Sequence, residues 1–82
     1  LVDVRTPEEF DQGHLDGAVN IDWLSPTFAG KWSDIDKNRK IYVYCKVGGR
    51  SSQSAQKLRS MGFKNVVNLT GGYDAYKAKG NK

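Results

Sequence analysis

Cys45 is the one cysteine of the chain, and Lys46, Val47, Gly48, Gly49, Arg50 and Ser51 follow it directly. A thiol attacks only as its thiolate, which needs cationic or N–H-rich surroundings. Two adjacent glycines let the backbone curl so that successive N–H groups point inward as a nest. A helix starting near Ser51 adds its positive end, and Lys46 and Arg50 add cations. The segment therefore predicts an anion cradle beneath a thiol of lowered pKa. Taken singly, each part is ordinary. A lone cysteine ending a strand is usually a small buried apolar residue, a glycine pair is a common turn, and Arg50 alone would be a surface cation. Their succession favours a reactive Cys45.

The elements that must position this segment are legible on both sides. Ile41-Tyr42-Val43-Tyr44 is β-branched and aromatic throughout, which predicts a buried central strand of a parallel sheet. Ser51 to Met61 reads as a helix, with Ala55, Leu58 and Met61 at helical spacing, Gly62 as its C-terminal cap and Phe63 folding back on it. Leu1 to Val4, Ala18 to Ile21 and Val66 to Leu69 read as further strands. Thr6-Pro7-Glu8-Glu9 is a helix start: a capping hydroxyl, proline at the first helical position and two acids at the positive dipole end. Residues 22–40 predict loop with one helical turn, anchored by Trp23, Leu24, Phe28 and Trp32. Gly71-Gly72 is a turn, and Tyr73 to Lys79 a last short helix closed by Gly80. Strands alternating with helices predict an α/β fold with a small parallel sheet.

Composition excludes several classes. Eighty-two residues hold one domain, spanning 1–82, with a thin core. One cysteine cannot form an internal disulfide or a cysteine-based zinc site, and His14 as the single histidine argues against other zinc sites. No apolar run approaches the ~20 residues that span a membrane. The net charge of +4 is unevenly placed. Residues 1–44 carry five cations and eight anions, whereas residues 45–82 carry eight cations and Asp74 alone as anion. A basic second half fits a nucleic acid, an anionic small substrate, or simply a solvated lysine-rich helix surface.

Several segments together resemble the rhodanese (thiosulfate sulfurtransferase) domain family. Leu1-Val2-Asp3-Val4-Arg5-Thr6-Pro7-Glu8-Glu9-Phe10 is similar to the family's opening strand and acidic-aromatic helix start. Gly13-His14-Leu15-Asp16-Gly17-Ala18-Val19-Asn20-Ile21 is similar to its Gly-His turn and second strand. Tyr42-Val43-Tyr44-Cys45, with Gly48 and Arg50-Ser51, resembles its active-site loop, and Asn68-Leu69-Thr70-Gly71-Gly72 its closing double-glycine turn. The resemblance implies a three-layer α/β/α domain without organic cofactor or metal. It implies a sulfurtransferase in which Cys45 takes a sulfane sulfur from thiosulfate or a persulfide donor, holds it as a persulfide and passes it to a thiol or cyanide. Lys46, Val47, Gly48, Gly49, Arg50 and Ser51 would bind the donor. The partners expected are a small anionic sulfur donor and a thiol or cyanide acceptor, with no nucleic acid or membrane, and the chain acting as a monomer.

Other matching residues read as structural. Asp3 and Arg5 are expected in a buried polar network beside the site, and His14 orients its loop rather than acting as general base. Trp23 and Trp32 belong to the core or a pocket rim. Tyr76 stands where the family often has Trp. The family usually carries a further strand and helix before the position of Leu1, so the chain is expected to be either incomplete at its start or a trimmed version of the domain. Rival readings are a non-catalytic or sulfur-relay module of a larger protein, and a cysteine-dependent phosphatase or arsenate reductase. The related phosphatases place five residues between Cys and Arg; here Lys46, Val47, Gly48 and Gly49 make four, a loop tighter than a tetrahedral phosphate calls for. The compartment stays open, a lone reactive thiol pointing towards a reducing cytosol.

Overall fold

The computed structural model describes residues 1–78. Four short parallel strands form one sheet: β1 (Val2–Asp3), β2 (Val19–Asn20), β3 (Ile41–Tyr44) and β4 (Val66–Asn68), in the order β2-β1-β3-β4. Register pairs Val2 with both Val19 and Val43, and Ile41 with Val66. Three helices accompany them: α1 (Pro7–Asp11), α2 (Gly49–Ser60) and α3 (Gly72–Ala78), with a single 3₁₀ turn at Ala29–Trp32 in the poorly patterned stretch. The expected α/β fold is the one observed. The strands at Leu1–Val4, Ala18–Ile21 and Val66–Leu69 are shorter than expected. The expected helix end at Lys79 and the closing Gly80 lie outside the described residues.

Local chemistry explains the boundaries. Thr6 and Glu9 form a reciprocal capping box: the Glu9 N–H donates to Thr6 Oγ1 (3.3 Å) and the Thr6 N–H donates to Glu9 Oε1 (3.1 Å). At the far end of α2, Gly62 has φ +100°, and the Phe63 N–H reaches back to the Leu58 carbonyl at 3.1 Å. Glycine tolerates this left-handed conformation, so the chain turns and drops Phe63 into the core beside Leu58. The start of α2 is a correction. Ser51 was expected to open the helix, but Gly48 at φ +122° completes the turn alone, so Gly49 and Arg50 already belong to the first helical turn.

The core lies where α2 meets β3 and β4. Val43, Leu58, Phe63 and Trp32 are essentially inaccessible, with Val2, Val4, Ile41, Ala55 and Val66 around them. Trp32 contacts Phe63 edge-on at a centroid distance of 5.6 Å and Phe28 at 5.8 Å. This wedge of aromatic rings gives the unpatterned stretch its anchorage. Trp32 is thus core, and Trp23 packs against its margin with its ring edge-on to Phe28.

Candidate functional site

The carboxyl ends of the parallel strands, where open α/β sheets bind their ligands, bring together Asp3, Arg5 and Cys45. Strand β1 runs into Asp3-Val4-Arg5 and β3 into Cys45. Asp3 and Arg5 are both buried and form a doubled ion pair, with Arg5 Nη2 at 2.7 Å and Nε at 3.0 Å from the carboxylate. Arg5 Nη2 also donates to the Gly13 carbonyl, and the guanidinium stacks over the Tyr73 ring at 4.4 Å. Burial alone would lower the Arg5 pKa, but Asp3 outweighs it and holds the guanidinium more firmly protonated. The network expected beside the site is present. Asn20 completes it, donating to the carbonyls of Asp3 and Arg5.

Cys45 follows β3 with about 1% of its surface exposed. Its sulfur accepts from the Gly48 N–H at 3.0 Å and lies 3.5 Å from Ser51 Oγ. Burial pushes the thiol pKa up. The contact with the Ser51 side chain and hydrogen bonds from the N–H groups of Ser51, Gly48 and Val47 more than offset that, and the thiol titrates below its ordinary value. Ser51 is itself held by Asn68 Oδ1 at 2.6 Å and by the Gly48 carbonyl at 3.2 Å. β4 thereby steadies the hydroxyl that faces the sulfur.

The remaining loop residues divide. Gly48 and Ser51 converge on the sulfur, as does the Val47 N–H, while the Val47 side chain is 63% exposed. Gly49 is exposed at the first position of α2. Arg50 and Lys46 differ from expectation: neither is a free cation over the cradle. Arg50 is clasped by Glu9 of α1, Nη1 to Oε1 at 2.7 Å and Nη2 to Oε2 at 3.0 Å. Lys46 Nζ lies 2.8 Å from Asp74 of α3. The Arg50 pair draws Glu9 down to about 2 and pushes the Arg50 pKa up. His14 is exposed, stacked on Phe10 at 3.7 Å, with Nδ1 donating to the Phe10 carbonyl. This contact ties the turn to Phe10 of α1. Tyr44, the last residue of β3, accepts the Leu15 N–H from the same turn, and burial pushes its phenol pKa up.

Glycines and α3 close the site from below. Gly72 has φ +57°, and a β-carbon there would collide with the carbonyl oxygens of Cys45 and Lys46. This close approach lets the Tyr73 N–H donate to the Cys45 carbonyl (2.8 Å) and the Asp74 N–H to the Lys46 carbonyl (3.0 Å). Glu9, Asn68 and Asp74 were missed from sequence as site residues. Asp74 carried a signal, being the lone anion among eight cations after Tyr44. In the sequence Glu9 stands as a partner of the α1 dipole and as part of the acidic-aromatic helix start, with nothing to mark its pairing with Arg50.

Known proteins resemble this chain along nearly all of it. A family model described as rhodanese-like domain matches residues 1–79. The chloroplastic thiosulfate sulfurtransferase 16 of Arabidopsis thaliana is 36% identical, over 96% of this chain and 74% of its own. The adenylyltransferase and sulfurtransferase UBA4 of Candida albicans is 39% identical over 93% of this chain, which spans only 19% of that larger protein. Among solved structures, the rhodanese-like domain of the Anabaena protein Alr3790 superposes with a TM-score of 0.86 at 36% identity, covering 96% of this chain and 90% of that one.

Proposed function

The chain belongs to the rhodanese-like domain family, and on that premise we propose that it is a sulfurtransferase working through a persulfide on Cys45. The observation carrying the proposal is the convergence of backbone N–H groups and the Ser51 hydroxyl on the Cys45 sulfur. In the first half-reaction the thiolate attacks the outer sulfur of thiosulfate. The S–S bond of the donor breaks, sulfite leaves with the electron pair, and Cys45 holds the transferred sulfur as a persulfide anion. In the second half-reaction cyanide or a thiolate attacks that terminal sulfur. Thiocyanate or a new persulfide departs, and the electron pair returns to Cys45 as thiolate. The N–H donors that stabilise one anionic sulfur are suited to the other, because both states keep one negative charge in the same nest. A persulfidated partner replaces thiosulfate without changing the chemistry.

Cys45 is only about 1% exposed, so the approach to its sulfur is narrow. The short loop between Cys45 and α2 supports a sulfur atom over a phosphoryl group as its guest. A relay role inside a longer protein is a second reading, favoured by the small share of the Candida relative that this chain spans.

Intact-mass measurement tests the proposal. The reduced protein incubated with thiosulfate is expected to gain the mass of one sulfur atom and to lose it on adding cyanide. Cys45→Ser protein is expected to gain none. An unchanged mass with thiosulfate and with a persulfide donor would overturn sulfur transfer.

A further inference from the structure

Each cation of the Cys45 loop is matched by a carboxylate from another helix: Arg50 by Glu9, and Lys46 by Asp74. A dianion approaching either cation must displace a carboxylate or stand beside one and be repelled. Glu9 stays ionised at neutral pH, because Arg50 holds its pKa far below that range. These two pairs by themselves therefore offer little net attraction to a free dianion.

Beside these pairs lies a cleft of about 280 Å³, lined among others by Glu9, Gln12, Lys46, Tyr73, Asp74 and Lys77. Its volume falls at the lower end of small-molecule sites, about 300 Å³. The cleft is fastened to the reactive loop, since the N–H groups of Tyr73 and Asp74 donate to the carbonyls of Cys45 and Lys46. It presents two carboxylates and two ammonium groups, and the Arg5 guanidinium that also lines it is already paired with Asp3. Lys77 makes no ion pair among the described residues. The Lys46–Asp74 pair is solvent-exposed and therefore readily exchanged for a ligand's own charges. Alternating charges of this kind recognise a molecule bearing both an ammonium and a carboxylate.

We infer that this cleft is a subsite for a zwitterionic, amino-acid-type thiol, as acceptor or as its persulfide donor, and that Glu9 and Asp74 turn the loop against free dianions such as thiosulfate. The inference rests on Cys45 as sulfur carrier. The ligand ammonium meets Asp74 or Glu9, and its carboxylate meets Lys77 or Lys46. In transfer, the ligand thiolate attacks the terminal sulfur of the Cys45 persulfide. The S–S bond breaks, its electron pair returns to Cys45, and the ligand leaves as a persulfide anion. The reverse sequence loads Cys45, and neither direction needs an outside oxidant.

Two measurements test it. S-methylcysteine cannot exchange sulfur, so its binding to Cys45→Ala protein judges the cleft independently of sulfur transfer. Titration followed by amide chemical shifts is expected to move Gln12, Tyr73 and Asp74, and to fail in the Asp74→Asn, Lys77→Gln double variant. An equal response to uncharged 2-(methylthio)ethanol, or no localised shifts, would overturn the subsite. The second measurement compares Asp74→Asn with the parent protein, both being expected to fold because the side chain is exposed. Loading by thiosulfate is expected to rise about three- to fivefold in kcat/KM. The rate advantage of cysteine over 3-mercaptopropionate in discharging the persulfide is expected to fall by a similar factor. Thiosulfate loading that is unchanged or slower would overturn the discrimination. Absence of any persulfide from any donor would instead sink the sulfurtransferase reading, leaving the binding titration to decide the cleft.

Discussion

Glu9 and Arg50 stand forty-one positions apart and meet in a two-pronged ion pair of 2.7 and 3.0 Å. The pair ties α1 to the first turn of α2, the same turn that carries Ser51 over the Cys45 sulfur. A single carboxylate thus has three roles: it closes the α1 capping box, restrains Arg50 and offsets the Arg50 charge at the site rim.

Glu9→Gln is expected to lower stability at neutral pH by about 1 kcal/mol or less, the range of a partly exposed pair. Folding depresses the Glu9 pKa from its ordinary 4.5 to about 2, so its contribution is fully present above pH 4.5 and is lost as pH falls through 2. Thermal unfolding of the parent and the variant should therefore differ by a constant amount near pH 7 and converge between pH 4.5 and 2. A gap that does not narrow on acidification would contradict the pairing.

Alkylation by iodoacetamide reports the Cys45 thiolate directly. Its rate is expected to rise with pH and level off at a midpoint below that of a free thiol, because N–H donors stabilise the anion. Ser51→Ala removes the hydroxyl nearest the sulfur, so its midpoint should lie above the parent's and its alkylation near pH 7 should slow. Coincident pH profiles for the two proteins would remove Ser51 from the thiolate's support.

What could be read from sequence was local. The Thr6-Pro7-Glu8-Glu9 start, the Ile41–Tyr44 strand and the Gly62 cap each depend on residues within a few positions, and each stands where expected. The Cys45 loop was legible for the same reason, its Gly48 and Ser51 lying within six positions of the sulfur they support. The charge pairs were not. Glu9 and Asp74 find Arg50 and Lys46 across forty-one and twenty-eight positions, through the docking of α1 and α3 on the strand ends. Local spacing assigned both cations to the ligand, and tertiary packing gave each a carboxylate first. The start of α2 was misplaced by two residues because Gly48 and Gly49 were read as one loop, whereas only Gly48 has positive φ.

Asp3→Asn tests the buried network. The substitution leaves the Arg5 charge almost wholly buried and opposed by no carboxylate in contact. Breaking one partner of such a pair costs about 3–5 kcal/mol. Urea unfolding followed by tryptophan fluorescence is expected to shift to lower midpoint by that amount, since Trp32 is buried in the same core. A loss below about 1 kcal/mol would mean that Arg5 is compensated by Gly13 and Tyr73 without Asp3.

Two glycines of the site should respond in opposite directions to alanine. Gly49 has open space where a β-carbon would stand and lies in the first turn of α2, so Gly49→Ala reduces the freedom of the unfolded chain without a clash. It should stabilise the fold by about 0.4–1 kcal/mol. Gly72 has a left-handed φ of +57° and no room beside the Cys45 and Lys46 carbonyls. The left-handed conformation alone costs an alanine about 1–2 kcal/mol. Relieving the clash must also pull α3 from the loop, lengthening the hydrogen bonds from Tyr73 and Asp74. Gly72→Ala is therefore expected to destabilise by more than that figure and to slow persulfide formation on Cys45 in the protein that remains folded. Denaturant unfolding measures the first effect and thiosulfate-dependent mass gain the second. A Gly72→Ala protein that matched the parent in both would show that α3 does not need this approach to support the Cys45 loop.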